Sequence, residues 1–302
     1  MQPCEFCGKG FEPKRKTQKF CHVSCSQAAS NARRTQKGPL FEEPREFKVL
    51  TIRDIPDGYK VIIINDTQIP FQEKRTLAAI ERFWDDFQPD LEIYNGDIFD
   101  FYEISSFDKN PSRTFRLQDE LDVARAWLYG RAERNPNARR ILIEGNHEDR
   151  LRRWLWKKGP EVSSLRVLSV ESLLGLDEMK IESLAYGNRI NLCGFLIEHG
   201  ERSSRSDAYP INVARLMAIS RGSSGLCGHD HHFGVYCWTD SRGDHTYINN
   251  GNICGQPEYR PFPNWQAGFT YGIVIAGVFY PTPTRVLKDG FRAEGEFYKR
   301  SK

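Results

Sequence analysis

Three short apolar runs, each ending in turn residues, set the frame of this chain. Val61-Ile62-Ile63-Ile64 leads into Asn65-Asp66-Thr67-Gln68, and Leu91-Glu92-Ile93-Tyr94 into Asn95-Gly96-Asp97. Arg140-Ile141-Leu142-Ile143 leads into Glu144-Gly145-Asn146-His147. Such runs read as buried strands. The pattern predicts strands at 59–65, 90–95 and 139–144, separated by helices at 74–87 and 117–134. Asp119 and Glu120 near the start of the second helix suit its positive end. A third helix is expected from Asp149 to Lys158, stopped by Gly159-Pro160. Residues 161–184 read as part helical with a break at Gly175, and 189–192 with 195–199 as a hairpin around Cys193-Gly194. Pro210 suits the first turn of a helix reaching about Ser220. Short strands follow at 233–238, 246–249, 271–278, 284–288 and 291–298. Strands alternating with helices, then a strand-rich last third, predict an α/β domain with two sheets.

Ligands in α/β proteins collect beyond the carboxyl ends of buried strands, so three loops aim Asp66, Asp97, Asn146 and His147 at one place. Converging oxygen and imidazole donors are what a pair of divalent cations requires. In chain order the motifs are D-x-Q (Asp66, Gln68), G-D-x-x-D (Asp97, Asp100), G-N-H-E (Asn146, His147, Glu148), H-G (His199) and G-H-x-H (His229, His231).

This ordered set resembles the calcineurin-like metallophosphoesterases, which include DNA-repair nucleases, cyclic-nucleotide phosphodiesterases and Ser/Thr phosphatases. The likeness covers roughly residues 58–280. It implies a four-layer α/β/β/α sandwich with the metals at one rim between the sheets. It assigns the first metal to Asp66, Gln68, Asp97 and His231, and the second to Asp97, Asn146, His199 and His229, with Asp97 bridging. It makes His147 the general acid, with Asp100 and Glu148 orienting its imidazole. The physics agrees with the division, because a shared carboxylate offsets cation repulsion while neutral imidazoles and amides leave positive charge for a phosphate. Asn252 stands where these proteins usually carry serine.

Two departures matter. The family usually has D-x-H at its first motif, whereas this chain has Gln68, a harder ligand that favours manganese or magnesium over iron or zinc. The same glutamine resembles the manganese-dependent ADP-ribose/CDP-alcohol diphosphatases. Phe101 follows Asp100 where Ser/Thr phosphatases carry arginine, which argues against a phosphoprotein substrate.

Composition adds a second module. Cys4-x2-Cys7, thirteen residues, then Cys21-x3-Cys25 is a four-thiolate zinc spacing. About 35 residues cannot bury enough apolar surface to fold alone, so a structural zinc would supply most of the folding energy. His22 is expected to point outward. Residues 1–40 carry eight Lys/Arg against two Glu, a charge of +6 in a chain of net +3. That asymmetry suggests an anionic partner, with Lys14, Arg15, Lys16, Lys19, Arg33, Arg34 and Lys37 facing the phosphates of a nucleic acid. A protein partner is the alternative. The expected layout is a zinc module at 1–38, a proline-bearing linker at 39–57 and the catalytic domain at 58–302. The longest apolar stretch, Tyr271 to Tyr280, is half of the ~20 residues a membrane helix needs, and no signal segment is seen; a soluble cytoplasmic protein is expected. Cys193, Cys227, Cys237 and Cys254 read as reduced thiols, mostly buried.

These features favour a hydrolase: a phosphodiesterase or nuclease holding two divalent metals, manganese first, with magnesium, iron or zinc as alternatives. The competing readings are a small-nucleotide phosphodiesterase or pyrophosphatase whose zinc module binds a protein, and a non-enzymatic binding protein on the same fold. Phe101, Phe107, Tyr259 and Trp265 are candidates for stacking nucleobases.

Overall fold

A computed structural model describes residues 1–13, 18–26, 47–200, 210–256 and 263–300. The chain divides into two units, Met1–Glu46 and Phe47–Lys302. In the first, Gln2–Pro3 (β1) pairs antiparallel with Gly10–Phe11 (β2), and residues 23–26 are helical. Lys14, Arg15, Lys16, Arg33, Arg34 and Lys37 lie outside the described residues.

The second unit runs Val49–Ile52 (β3), Tyr59–Ile64 (β4), Lys74–Phe87 (α1), Leu91–Asn95 (β5), Leu117–Arg134 (α2), Arg139–Ile143 (β6), Asp149–Lys158 (α3), Val170–Leu174 (α4) and Ile181–Leu184 (β7). It continues with Arg189–Leu192 (β8), Phe195–Ile197 (β9), Pro210–Arg221 (α5), Gly225–Cys227 (β10), Phe233–Asp240 (β11) and Gly243–Asn250 (β12). The last strands are Gly268–Ile275 (β13), Val278–Arg285 (β14), Gly290–Ala293 (β15) and Glu296–Lys299 (β16). One six-stranded sheet has the order β14-β13-β4-β5-β6-β7, with β4 to β7 parallel; the other has the order β11-β12-β10-β9-β8-β3.

The apolar runs are continuous because both faces of each strand are covered. Alternate residues of β4 to β6 (Val61, Ile63, Leu91, Ile93, Ile141 and Ile143) meet Ile190, Leu192, Ile197, Leu226 and Ile248 of the second sheet. The intervening Ile62, Ile64, Tyr94 and Leu142 pack on α1 to α3 through Phe83, Trp84, Leu128 and Leu155. On the outer face of the second sheet, Val213 and Met217 of α5 cover Cys227 and Tyr247. The result is the four-layer α/β/β/α arrangement that the motif resemblance implied.

Three segments differ from expectation. The stretch 39–57, expected as linker, contains β3, which pairs parallel with β8. Its Leu50 and Ile52 reach into the core between the sheets while Val49 and Thr51 face out, an alternation too short to stand out beside the buried runs. The single strand expected at 271–278 is the end of β13 and the start of β14, turning at Ala276 and Gly277 with φ of 50° and 72°. That two-residue turn with both φ positive suits a hairpin, and Pro281 and Pro283 are tolerated because β14 lies at the sheet edge. Likewise 291–298 folds back at Glu294-Gly295. Among the described residues, no helix is long and apolar enough to cross a membrane.

Candidate metal centre

Every candidate side chain of the second unit sits just past the carboxyl end of a strand. Asp66 and Gln68 follow β4, Asp97 and Asp100 follow β5, and Asn146 and His147 follow β6, while His199 follows β9 and His229 and His231 follow β10. The loops are sharply bent: Asp66, Gln68 and Asp97 have φ of 50°, His229 73° and His231 60°. Left-handed backbone at a residue with a Cβ costs on the order of 1–3 kcal/mol and persists only where neighbours enforce it. Here they do. The buried Glu148 carboxylate accepts the N–H groups of Asp97 (3.0 Å), Ile98 (2.9 Å), Phe99 (3.1 Å) and Gly145 (2.7 Å). Asp66 N–H donates to Gly96 O at 3.0 Å and Gln68 N–H to Asp97 O at 2.9 Å. Close approach also dictates glycine at 96 and 145. A Cβ at Gly96 would collide with His199 Nδ1, and one at Gly145 with Asp97 Oδ1.

These bends bring the donors into two groups that share Asp97. In one, Asp97, His199 and His229 place an atom each within 4.8 Å of one another; in the other, Asp66, Asp97 and His231 do the same. Asn146 Oδ1 joins the first, 2.5 Å from His229 Nδ1 and 3.2 Å from His199 Nε2. Gln68 joins the second, its amide 3.3 Å from His231 Nε2, and turning that amide over presents its oxygen. The outer nitrogens are held from behind, which fixes the ring orientations. His199 Nδ1 lies 2.9 Å from Asn95 O, and His231 Nδ1 3.6 Å from Cys254 Sγ. Asn252 donates to His231 O at 3.0 Å, so the residue in the usual serine position braces the loop.

The cluster is short of positive charge. Burial opposes ionisation of Asp66 and Asp97, yet the imidazole of His231 beside the first, and those of His147 and His199 beside the second, hold both carboxyls below the ordinary range. Burial alone would lower His199, but Asp97 raises it to about 10. Burial, with His199 nearby, lowers His229 to about 4. Asp66 Oδ1 is buried, with His231 Nε2 3.1 Å away. Two ionised carboxylates holding protons on flanking imidazoles fit a pair of divalent cations in place of those protons.

His147 stands outside both groups. Its Nε2 is 3.6 Å from Asp97 Oδ2 and its Nδ1 3.0 Å from Asp100 Oδ1, so Asp100 is the carboxylate beside the imidazole. Glu148, expected as a second partner of the ring, instead gives its carboxylate to the four backbone N–H groups that shape the Asp97 and Gly145 turns. Arg150 escaped the motif reading. Its guanidinium lies 2.7 Å from His147 Nε2 and 2.5 Å from Asp100 O, and the only sequence signal was its place three residues after His147 in the first turn of α3. Glu120 escaped it too. Burial raises its carboxyl to about 8, and it accepts the N–H groups of Phe101 and Tyr102 just after Asp100.

Other candidates sort by burial. Phe101 is fully buried in the helix-side core, which removes it as a stacking surface. His232 is buried, and its carbonyl accepts the Gly251 N–H at 2.9 Å. Trp265 meets His231 edge-on at 4.2 Å between ring centroids, and Phe107 is 72% exposed. Tyr259 lies outside the described residues.

In the first unit, Cys4, Cys7, Cys21 and Cys25 each place their sulfur within 4.8 Å of the others. Gly8, at φ 71°, closes the first knuckle, its N–H donating to Cys4 O at 2.9 Å. Hydrogen bonds from Cys7 and Cys25 push the Cys21 thiol up to about 12; crowded thiols of this kind ionise together only around a cation. The exposed His22 stays aside, 3.2 Å from Ser24 Oγ. Spacing, convergence and thiol crowding all suit a four-thiolate metal site.

The family profile of calcineurin-like phosphoesterases matches residues 59–254. The Gene 54 protein of Mycobacterium phage D29 is 25% identical over 252 residues, covering 80% of this chain and 98% of that protein. Among solved structures, a Vps29 single mutant from Entamoeba histolytica aligns over 80% of this chain and 99% of its own at 10% identity, with a TM-score of 0.40. A dimetal phosphatase from Danio rerio aligns over 82% and 100% at 13% identity, with a TM-score of 0.37.

Proposed function

The chain belongs to the calcineurin-like phosphoesterase family, and on that premise we propose that it is a dinuclear-metal phosphodiesterase acting on nucleic acid. The observation that carries the reading is Asp97 shared by two donor groups, with an imidazole, His147, held just outside them. Asp66, Gln68, Asp97 and His231 would hold one cation, and Asp97, Asn146, His199 and His229 the other. Gln68 in place of an imidazole favours manganese or magnesium at the first position. Bound there, the pair would supply Lewis-acid activation of water and neutralise charge on the phosphate oxygens.

The chain's own residues do the rest. Asp97 keeps the donor groups in register because its N–H is fixed by Glu148 and its Oδ1 accepts His147 N–H at 2.8 Å. His147 carries the proton destined for the leaving oxygen, and Asp100 keeps the ring turned while that proton is passed on. Arg150 fills the space at His147 Nε2, and an arriving phosphate offers its fork a better partner than an imidazole nitrogen does. The +6 charge of residues 1–40 supports nucleic acid as the polymer, gripped by a module that Cys4, Cys7, Cys21 and Cys25 would close around zinc. Gln68 also supports a second reading, a small-nucleotide pyrophosphatase.

A manganese-supplemented screen against single- and double-stranded nucleic acid, cyclic nucleotides and nucleotide diphosphate esters tests both. Cleavage of oligonucleotides above all other substrates is the expected result. Turnover confined to diphosphate esters would replace the first reading with the second, and inertness toward every substrate would refute both.

A further inference from the structure

The loop between Asp100 and α2 carries an exposed aromatic ring that the chemistry described so far does not use. Phe107 is 72% exposed, yet the loop beneath it is tied down. Lys109 Nζ donates to Tyr102 O at 2.5 Å and to Ser105 O at 2.9 Å, and Asn110 N–H donates to Tyr102 Oη at 2.6 Å. The Arg113 guanidinium lies over the Phe71 and Tyr102 rings at 4.4 and 4.2 Å. Holding a large apolar side chain in water on a braced loop gains nothing for folding. It is what a recognition surface needs, since the backbone carrying the ring is fixed before its partner arrives.

The position of the ring says what that partner is. The Arg150 guanidinium is 6.0 Å from the Phe107 centroid, and the same group contacts His147 Nε2. A general acid faces the leaving group, so Arg150 and then Phe107 line the leaving-group side of the scissile phosphate.

We propose that Phe107 is a specificity-determining residue that stacks the nucleobase of the departing nucleotide, with Arg150 taking that nucleotide's phosphate side. The proposal rests on the phosphodiesterase reading above. Stacking on an aromatic face is tolerant of base identity, so the subsite selects for a nucleobase without selecting a sequence.

The test uses the full-length protein with manganese and two dinucleotides, one bearing a base and one an abasic sugar on the leaving side. Wild type should prefer the base-bearing substrate on the order of tenfold in kcat/KM, within the range one stacked base contributes. Phe107→Ala should erase that preference while leaving the abasic rate unchanged, and Phe107→Trp should keep it. A wild-type enzyme that cleaves both dinucleotides equally, or a Phe107→Ala variant that retains the preference, overturns the subsite and leaves the phosphodiesterase reading standing. A wild-type enzyme that cleaves neither, while hydrolysing nucleotide diphosphate esters, overturns both.

Discussion

The Asp/His centre and the cysteine cluster both bring their donors within reach of one ion, but they are held by opposite means. In the second unit the donors hang from strands buried on both faces, and their loops are locked by side chains that touch no candidate cation position. Glu148 takes four backbone N–H groups, and Asn95 donates to Glu198 O at 2.9 Å while its own carbonyl faces His199. In the first unit two strands of two residues each and three partly or fully exposed cysteines surround the buried Cys4. The Asp/His donors are set by a folded core, whereas the cysteine cluster has little core of its own, so a metal bound there would supply most of its folding energy.

The sharpest way to break that contrast is at Asp97, the residue common to both donor groups. Asp97→Asn keeps the size of the side chain and removes the charge that balances two cations. We expect phosphodiester turnover to fall by about 10³-fold or more while the body still unfolds cooperatively. A variant within tenfold of wild type would show that the two groups do not act as one centre. Removing metal with a chelator is the complementary experiment, read by hydrogen exchange. Amides of residues 1–13 should lose protection by about 10²-fold or more, whereas those of β4 to β6 should change less than tenfold, because their core is made of isoleucine and leucine. Equal losses in both regions would erase the distinction.

The same contrast explains what could be read in the sequence. The strand-ending turns pointed to Asp66, Asp97 and Asn146, because donor type, turn residues and buried strands coincide there, while His199, His229 and His231 were picked out by the resemblance of the ordered motifs. The cysteine spacing named its own cluster for a similar reason, since ligands that must close a knuckle have little freedom in separation. What stayed hidden depends on contacts between distant segments. β3 looked like linker because only Leu50 and Ile52 bury, and their partners lie about 140 residues further on, in β8. Glu148 looked like a partner for His147 because it is adjacent in sequence, although the turn points its carboxylate back at residues 97–99. Phe101 and Phe107 are alike in composition and opposite in burial: Phe101, at φ 52°, packs in the helix-side core while Phe107 stays exposed, which no local pattern announces.

His147 offers a smaller but more selective effect. His147→Ala should lower turnover by ~10²-fold for esters with poor leaving groups. Nitrophenyl esters should suffer less, because their leaving oxygens need little protonation, and metal content should not change. Equal reductions on both substrate types would take His147 out of the general-acid role, and a drop in bound metal would move it into the donor set.

The smallest effect on chemistry, and the cleanest separation of the two regions, comes from deleting residues 1–40. The deletion removes +6 of formal charge and leaves a body of −3, so attraction for a polyanion should largely disappear. For every phosphate no longer gripped, the dependence of log affinity on log salt flattens by ~0.7–0.9 units, so a module that grips several phosphates leaves a plain signature. Turnover of a small diester should stay within about twofold, because every donor of the body and His147 lies beyond residue 57, on loops fixed by the body's own hydrogen bonds. Binding and cleavage of an oligonucleotide across a salt series, beside small-diester turnover, reads both arms. An unchanged salt slope would assign the module to a protein partner instead of nucleic acid. A collapse of small-diester turnover would show that the body's metal centre needs the module, and would contradict the view that the fold alone builds it.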